Sequence, residues 1–305
     1  DDGDLDLYVA NDSTRNFLYR NRGDGRFEDV AIYAGAAFND RGETEASMGV
    51  DAGDFDGDGR LDLFMTHLDF ESNTLYRNTG NNIYLDSSAV SGLATPSATR
   101  VGFGTNFFDF DHDGDADVFV ANGHILDNAE LRNPMLSYEQ PNQLFENVGG
   151  RFVDASERAG PHFAVPRVGR ASATGDLDGD GDLEVLVVNS NREAVLLRNE
   201  TSQRPEAAGH WLMLRLRSRH GGRDAIGARV LLRAGGKVWA DEIHSGASYL
   251  AQSDLRLHFG LGDVNELDRV EIRWPEGEVQ EIPGAELPVD QLHEIRQPAA
   301  QESGP

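Results

Sequence analysis

Short apolar runs broken by turns rich in Gly, Asn and Asp fill the first 200 residues of the chain. Residues 5–10 alternate as a strand. The phrase Asn16-Phe17-Leu18-Tyr19-Arg20-Asn21 then leads through Gly23, Asp24 and Gly25 to a further strand at Phe27. The phrase returns at 73–78 with Gly80, at 142–147 with Gly149, Gly150 and Phe152, and in shortened form at 196–199. Strands of small residues recur at 46–53, 100–108 and 169–175. Units of four short strands with turns between them predict blades of a β-propeller over residues 1–200, with a solenoid of strands as the weaker alternative. Residues 201–209 lack periodicity and carry Pro205, and so read as a linker. Alternation resumes at 211–217, 228–234, 237–243, 256–259, 269–274 and 278–282, with Gly turns at 221–222 and 235–236. Six such strands predict a compact β-sandwich over 210–296. Residues 297–305 form a polar tail, predicted to be disordered. The expected fold is therefore all-β, a partial propeller followed by a small sandwich.

Acids punctuate this pattern at fixed offsets. Asp54, Asp56, Asp58 and Asp62 occupy positions one, three, five and nine of a loop with Gly59 at six. Asp109, Asp111, Asp113, Asp115 and Asp117 repeat it, as do Asp176, Asp178, Asp180, Asp182 and Glu184. The start of the chain cuts a fourth copy to Asp2, Asp4 and Asp6. The first acids of the three whole copies lie 55 and 67 residues apart. Carboxylates this close repel one another unless solvated or bridged by a cation, and an all-oxygen, highly charged cage suits Ca²⁺. A lone Asp-Gly-Asp is an ordinary turn, but recurrence in register argues for metal. An EF-hand needs a bidentate Glu at position twelve and a following helix. Here position twelve is Met65, Val120 or Val187, and the residues after position nine favour strands. The expectation is a strand-loop-strand site in three complete loops and one truncated one. Side chains at one, three, five and nine bind, position seven (Arg60, Asp115, Asp182) offers its carbonyl, and the Arg60 guanidinium points outward.

Charge sharpens the picture. The formal net charge is −26, and residues 1–200 carry 37 acids against 15 bases while the remainder carries 16 against 12. Such a surface disfavours nucleic acid and anionic membrane as partners. Cysteine is absent, which excludes disulfides and thiolate metal sites. No apolar run approaches the length that spans a bilayer. The chain begins inside a motif and without Met, so the expectation is a fragment or processed form whose signal peptide and missing N-terminal blades lie upstream.

The acidic loops, with Tyr76-Arg77-Asn78 and its following Gly, resemble the FG-GAP repeats of integrin α-subunit propellers and their bacterial relatives. That resemblance implies a propeller, usually of seven blades, with Ca²⁺ in loops on one face. About three and a half blades are present, so an exposed edge is expected at each end of the set. Asp224-Ala225-Ile226-Gly227-Ala228-Arg229-Val230, Ser248-Tyr249-Leu250-Ala251-Gln252-Ser253, His258-Phe259-Gly260-Leu261-Gly262 and Arg273-Trp274-Pro275 resemble the ASPIC and UnbV domain, found in the cartilage acidic protein and bacterial UnbV-like family. The two resemblances imply a secreted, cell-surface or periplasmic calcium-binding protein that adheres to, or binds, an extracellular protein or glycan. The absence of cysteine favours a bacterial relative.

Chemistry beyond metal binding leaves little trace. None of the nine histidines has nucleophile or metal-ligand spacing, and no His-Glu-x-x-His, Gly-x-Ser-x-Gly or phosphate-cradling loop occurs. His112, at a non-ligand loop position, is expected to face water; His124 is expected to be hydrogen-bonded at a strand end, and His258 to be structural. Ser248 and Tyr249 are assigned to a turn at an edge, and Trp211, Trp239 and Trp274 to the sandwich core. Two functions remain: a non-enzymatic binding module, and an extracellular calcium-dependent polysaccharide-processing propeller enzyme. The second needs a base converging with Ca²⁺, and no such cluster is legible, so binding leads.

Overall fold

The architecture was established from a computed structural model that describes residues 3–204 and 209–299. It is nearly all β. The first sheet comprises β1 (Leu7–Val9), β2 (Phe17–Asn21) and β3 (Phe27–Asp29); the second, β4 (Val50–Gly53), β5 (Asp62–Met65), β6 (Thr74–Asn78) and β7 (Tyr84–Asp86). The third holds β8 (Gly102–Phe108), β9 (Asp117–Asn122), β10 (Gln143–Asn147) and β11 (Phe152–Asp154), and the fourth β12 (Gly169–Gly175), β13 (Glu184–Asn189) and β14 (Val195–Leu197). All four are antiparallel meanders, each strand paired with its neighbour in sequence.

Aromatic and branched side chains fill the spaces between sheets. Phe55, Phe64, Leu75, Val118, Val120, Phe145 and Phe152 form one buried cluster, and Phe108, Phe119, Leu144, Val185 and Val187 another. At several glycines of the inner strands the neighbouring sheet approaches so closely that a side chain would not fit. A Cβ on Gly104 would lie 2.4 Å from the Ser172 nitrogen. Small residues in these strands are therefore a packing requirement. On the last sheet Leu186, Val188 and Leu196 remain exposed, as does Leu7 on the first.

The C-terminal domain is a two-sheet sandwich. Its strands are β15 (His210–Arg217), β16 (Arg229–Ala234), β17 (Lys237–Glu242), β18 (Leu257–Gly262), β19 (Arg269–Arg273), β20 (Val279–Pro283) and β21 (Gln291–Arg296), in the orders β18-β15-β21 and β17-β16-β19-β20. Leu212, Leu214, Val230, Leu232, Phe259, Val270, Ile272 and Trp274 build its core. The strand β21 was not expected from sequence; it runs parallel to β15. Gln297, placed in the tail predicted to be disordered, is instead ordered: it is buried and its N–H donates to the Arg217 carbonyl at 2.9 Å, which continues the pairing of β15 and β21. Residues 300–305 of that tail, and 205–208 of the linker, lie outside the described residues.

The sandwich is seated on the blades. The turn between β17 and β18 runs across the inner strands of three successive sheets. Ser248 pairs with Val50 as an isolated β-bridge, its N–H donating to the Val50 carbonyl at 2.7 Å. The Ser248 Oγ accepts the Thr105 N–H at 3.0 Å and lies 3.1 Å from the Ser172 Oγ. Ser253 Oγ accepts the Thr174 N–H at 3.1 Å, and the Asp254 N–H donates to the Thr174 carbonyl. Thus the Ser248 turn, expected at an edge, is a buried joint between domains. Among the described residues no helix is long and apolar enough to cross a membrane.

Candidate metal centres

Each whole acidic loop joins the innermost strand of a sheet to the next, so its first acid leaves one strand and its ninth opens another. The ninth acid acts as a latch. One oxygen of Asp62, Asp117 and Glu184 accepts the N–H of position two in its own loop, at 3.2, 3.1 and 2.9 Å from Phe55, Phe110 and Leu177. The other oxygen of Asp62 accepts the Asn78 N–H at 2.6 Å, and that of Asp117 the Asn147 N–H at 2.7 Å. In the truncated loop Asp6 does the same with Asn21 at 2.8 Å. The first acid closes the turn: Asp54 accepts from Asp58 and Gly59, Asp109 from Gly114, and Asp176 from Gly179 and Gly181.

These bonds consume only part of each carboxylate. Asp54, Asp56 and Asp58 converge with ligand oxygens within 4.8 Å of one another, as do Asp109, Asp111 and Asp117, and Asp176, Asp178 and Glu184. Asp56 Oδ1, Asp109 Oδ1, Asp111 Oδ1 and Glu184 Oε1 are buried without a hydrogen-bond partner. Buried carboxylate oxygens left this way are costly unless a proton or cation meets them. Burial, reinforced by neighbouring acids, pushes Asp54 up to about 6 and Asp62 up to about 8. It raises Asp109 and Asp117 well above the usual carboxylate range, and also raises Glu184. The donor set is all oxygen, acidic and partly desolvated, and it fits a hard divalent cation.

The remaining acids sit around these groups. Asp62, Asp113, Asp115, Asp180 and Asp182 lie outside the three convergent triads, and both oxygens of Asp62 accept backbone N–H groups. Asp115 accepts the Gly149 N–H at 3.2 Å, and Asp182 accepts the Ser202 N–H. Asp4 and Asp6 join no group of three among the described residues, and Asp2 lies outside them. Two orientations differ from expectation. The Arg60 guanidinium turns back over its loop, pairing with Asp58 and donating from Nε to the Asn78 carbonyl at 2.9 Å, because two acceptors lie within its reach. His112 is buried, its Nε2 3.2 Å from the Gly181 carbonyl, because the fourth sheet and the sandwich cover it. His124 contacts Asp69 at 3.1 Å, at a strand end as expected.

Sequence reasoning passed over two sets of supporting residues. Asn147 Nδ2 donates at 2.7 Å to the Phe55 carbonyl of the preceding loop, and Asn199 Nδ2 at 2.7 Å to that of Phe110, tying each blade to its neighbour's loop. The Arg of the recurring phrase pairs with the third acid, Arg77 with Asp56 and Arg198 with Asp178. The available signal was the recurrence of the closing Asn in all four units, preceded by Arg in three of them and by Glu146 in the third.

The second set comes from the sandwich, which caps the same atom in all three loops: the carbonyl of the glycine at position six. Arg229 Nη2 donates to Gly59, Trp239 Nε1 to Gly114 at 3.0 Å, and the His258 Nε2 nitrogen lies 2.9 Å from Gly181. Burial holds His258 down at about 3, so it is neutral and donates as the Nε2–H tautomer. Of the three tryptophans Trp239 and Trp274 belong to the sandwich core as expected, whereas Trp211 packs with the cluster between the third and fourth sheets.

Comparison with known proteins agrees with this division of the chain. The profile of the FG-GAP-like repeat matches residues 1–65 and 54–120, and that of ASPIC and UnbV matches 218–302. Cartilage acidic protein 1 of Xenopus tropicalis is 28% identical over 300 residues, covering 96% of this chain and 43% of that protein. The Homo sapiens and Mus musculus proteins of the same name are each 28% identical, covering 90% of this chain and 39% and 40% of their own lengths. The chain thus spans about two fifths of the curated relatives it matches.

Proposed function

We propose that this chain, which carries FG-GAP-like repeats ahead of an ASPIC and UnbV domain, is a calcium-binding, non-enzymatic ligand-binding module of a secreted protein. The observation that carries the reading is the set of buried, unpartnered carboxylate oxygens aimed into each of the three triads. Asp54, Asp56 and Asp58, then Asp109, Asp111 and Asp117, then Asp176, Asp178 and Glu184 would hold the ions. Bound Ca²⁺ would neutralise acids whose mutual repulsion otherwise opposes the loop.

The ions serve architecture. Their loops are bound on one side to a neighbouring blade through Asn147 and Asn199 and on the other to the sandwich through Arg229, Trp239 and His258. A metal that rigidifies the loops therefore rigidifies the surface shared by both domains. Calorimetric titration of the chelator-treated chain with Ca²⁺, Mg²⁺ and Zn²⁺ tests the assignment. Saturable Ca²⁺ binding in preference to Mg²⁺ is expected; preference for Zn²⁺, or no heat with any of them, contradicts it.

A further inference from the structure

The chain has about two acids for every base, yet one groove reverses that ratio. It is about 660 Å³ in volume and lies between the Asp54 and Asp109 loops and the β17-β16-β19 face of the sandwich. Arg60, Arg229, Arg233, Lys237 and Arg273 line it, against only Asp58 and Asp115. Lys237 is the only lysine in the chain.

The register of the sheet explains why the charge is concentrated there. Arg229 stands directly opposite Arg273, and Arg233 directly opposite Arg269, on adjacent antiparallel strands. Like charges placed opposite one another destabilise a sheet, and two such pairs lie on one face. Glu271, paired with Arg273 at 2.7 Å, offsets part of this charge. Arg233, Lys237 and Arg269 have no ion-pair partner among the described residues, and the Nε of Arg233 is buried with no hydrogen-bond partner. A cation arrangement this unfavourable for the fold alone is what an anionic ligand would relieve.

We propose that this groove binds an acidic glycan, its carboxylate or sulfate groups held by Arg233, Lys237 and Arg273. Arg229 and Arg233 are four residues apart on one strand, about 13 Å, so a single small oxyanion cannot reach both ends of the row. A chain with anionic groups at intervals can. No exposed aromatic ring lines the groove for a base to stack on, since Trp239 is buried and its indole N–H is held by Gly114. The surrounding charge of −26 opposes a long duplex. Calcium at the Asp54, Asp56 and Asp58 triad would remove the nearest repulsive charge. The proposal rests on the reading of the chain as a binding module and names its ligand.

The test measures binding of a heparin-derived decasaccharide to the 305-residue chain in Ca²⁺ at low salt. Neutral dextran, poly-glutamate and a DNA duplex serve as comparison probes. Calcium stoichiometry is measured on the same samples. Binding of the decasaccharide should weaken with salt and fall about tenfold or more in Arg233→Glu/Lys237→Glu, while Arg132→Glu, on a remote surface, leaves it unchanged. The double variant should keep the parent's calcium stoichiometry, which shows that it is folded. The proposal is overturned if the decasaccharide does not bind, if the double variant binds it as the parent does, or if poly-glutamate or DNA binds more tightly. Absent calcium binding with glycan binding intact would overturn the metal assignment and leave this one standing.

Discussion

Asp111 compresses the physics of the loops into one side chain. Its Oδ1 is buried, lacks a hydrogen-bond partner, and converges with Asp109 and Asp117. Without metal that carboxylate is a liability to the fold; with metal it is a ligand. Replacing it with Ala should therefore change sign with conditions. In chelator Asp111→Ala should be as stable as the parent or more so. In saturating Ca²⁺ it should be less stable and weaken one site on the order of tenfold or more. Urea unfolding in both buffers checks this, and equal destabilisation in both would assign Asp111 a purely structural role. Titration gives a second residue-scale prediction. Asp54 and Asp62 are pushed up to about 6 and about 8 chiefly by burial, against an ordinary value near 3.9 in the unfolded chain. Between about pH 4 and pH 8 the folded metal-free chain thus holds protons that the unfolded chain has released. Its stability should fall as pH rises through that window, and Ca²⁺ should flatten the slope. A urea midpoint that rises from pH 5 to pH 8 in chelator would contradict the burial of unpaired acids.

At the level of elements, the loops and the strands around them were legible because the chain repeats them. Spacing alone separated these sites from EF-hands, and the flanking strands β5, β9 and β13 begin at the ninth acid as expected. The joint between domains was not legible. Arg229, Trp239 and His258 meet their glycine carbonyls across 170, 125 and 77 residues of sequence, and no periodic pattern marks such a pairing. The strand β21 escaped for a different reason: only Ile295 on it is buried and Leu292 is exposed, so the alternation of buried and exposed positions is weak. His112 was misplaced because exposure was judged from its loop alone, whereas Gly181 and Gly209 approach it from distant segments. The joint makes its own prediction. Ser248→Ala removes the acceptor of the buried Thr105 N–H and should cost about 1–3 kcal/mol in urea unfolding, although the serine lies outside every core cluster. An effect below a few tenths of a kcal/mol, the scale of a surface substitution, would show that the turn is not seated as described.

For the whole molecule, the acid is concentrated in the repeats, and the sandwich supplies donors to all three loops. Metal occupancy and seating of the sandwich should consequently stabilise one another, as linkage requires of two events that share the same loops. Trp239→Phe, which keeps an aromatic ring but loses the N–H to Gly114, should weaken calcium at the Asp109 loop more than at the Asp176 loop. A uniform loss, or none, would separate the domains energetically. Heating should give one cooperative transition in Ca²⁺ and a lower or split one in chelator, since four sheets and a sandwich joined through acidic loops lose their common support together. The most direct measurement is a calorimetric titration of the chelator-treated chain with Ca²⁺ at pH 7, with melting followed on the same samples. The account predicts about three ions per chain, one for each convergent triad, and a rise in melting temperature that tracks occupancy. No saturable binding, or binding that leaves the melting temperature where chelation put it, would contradict it.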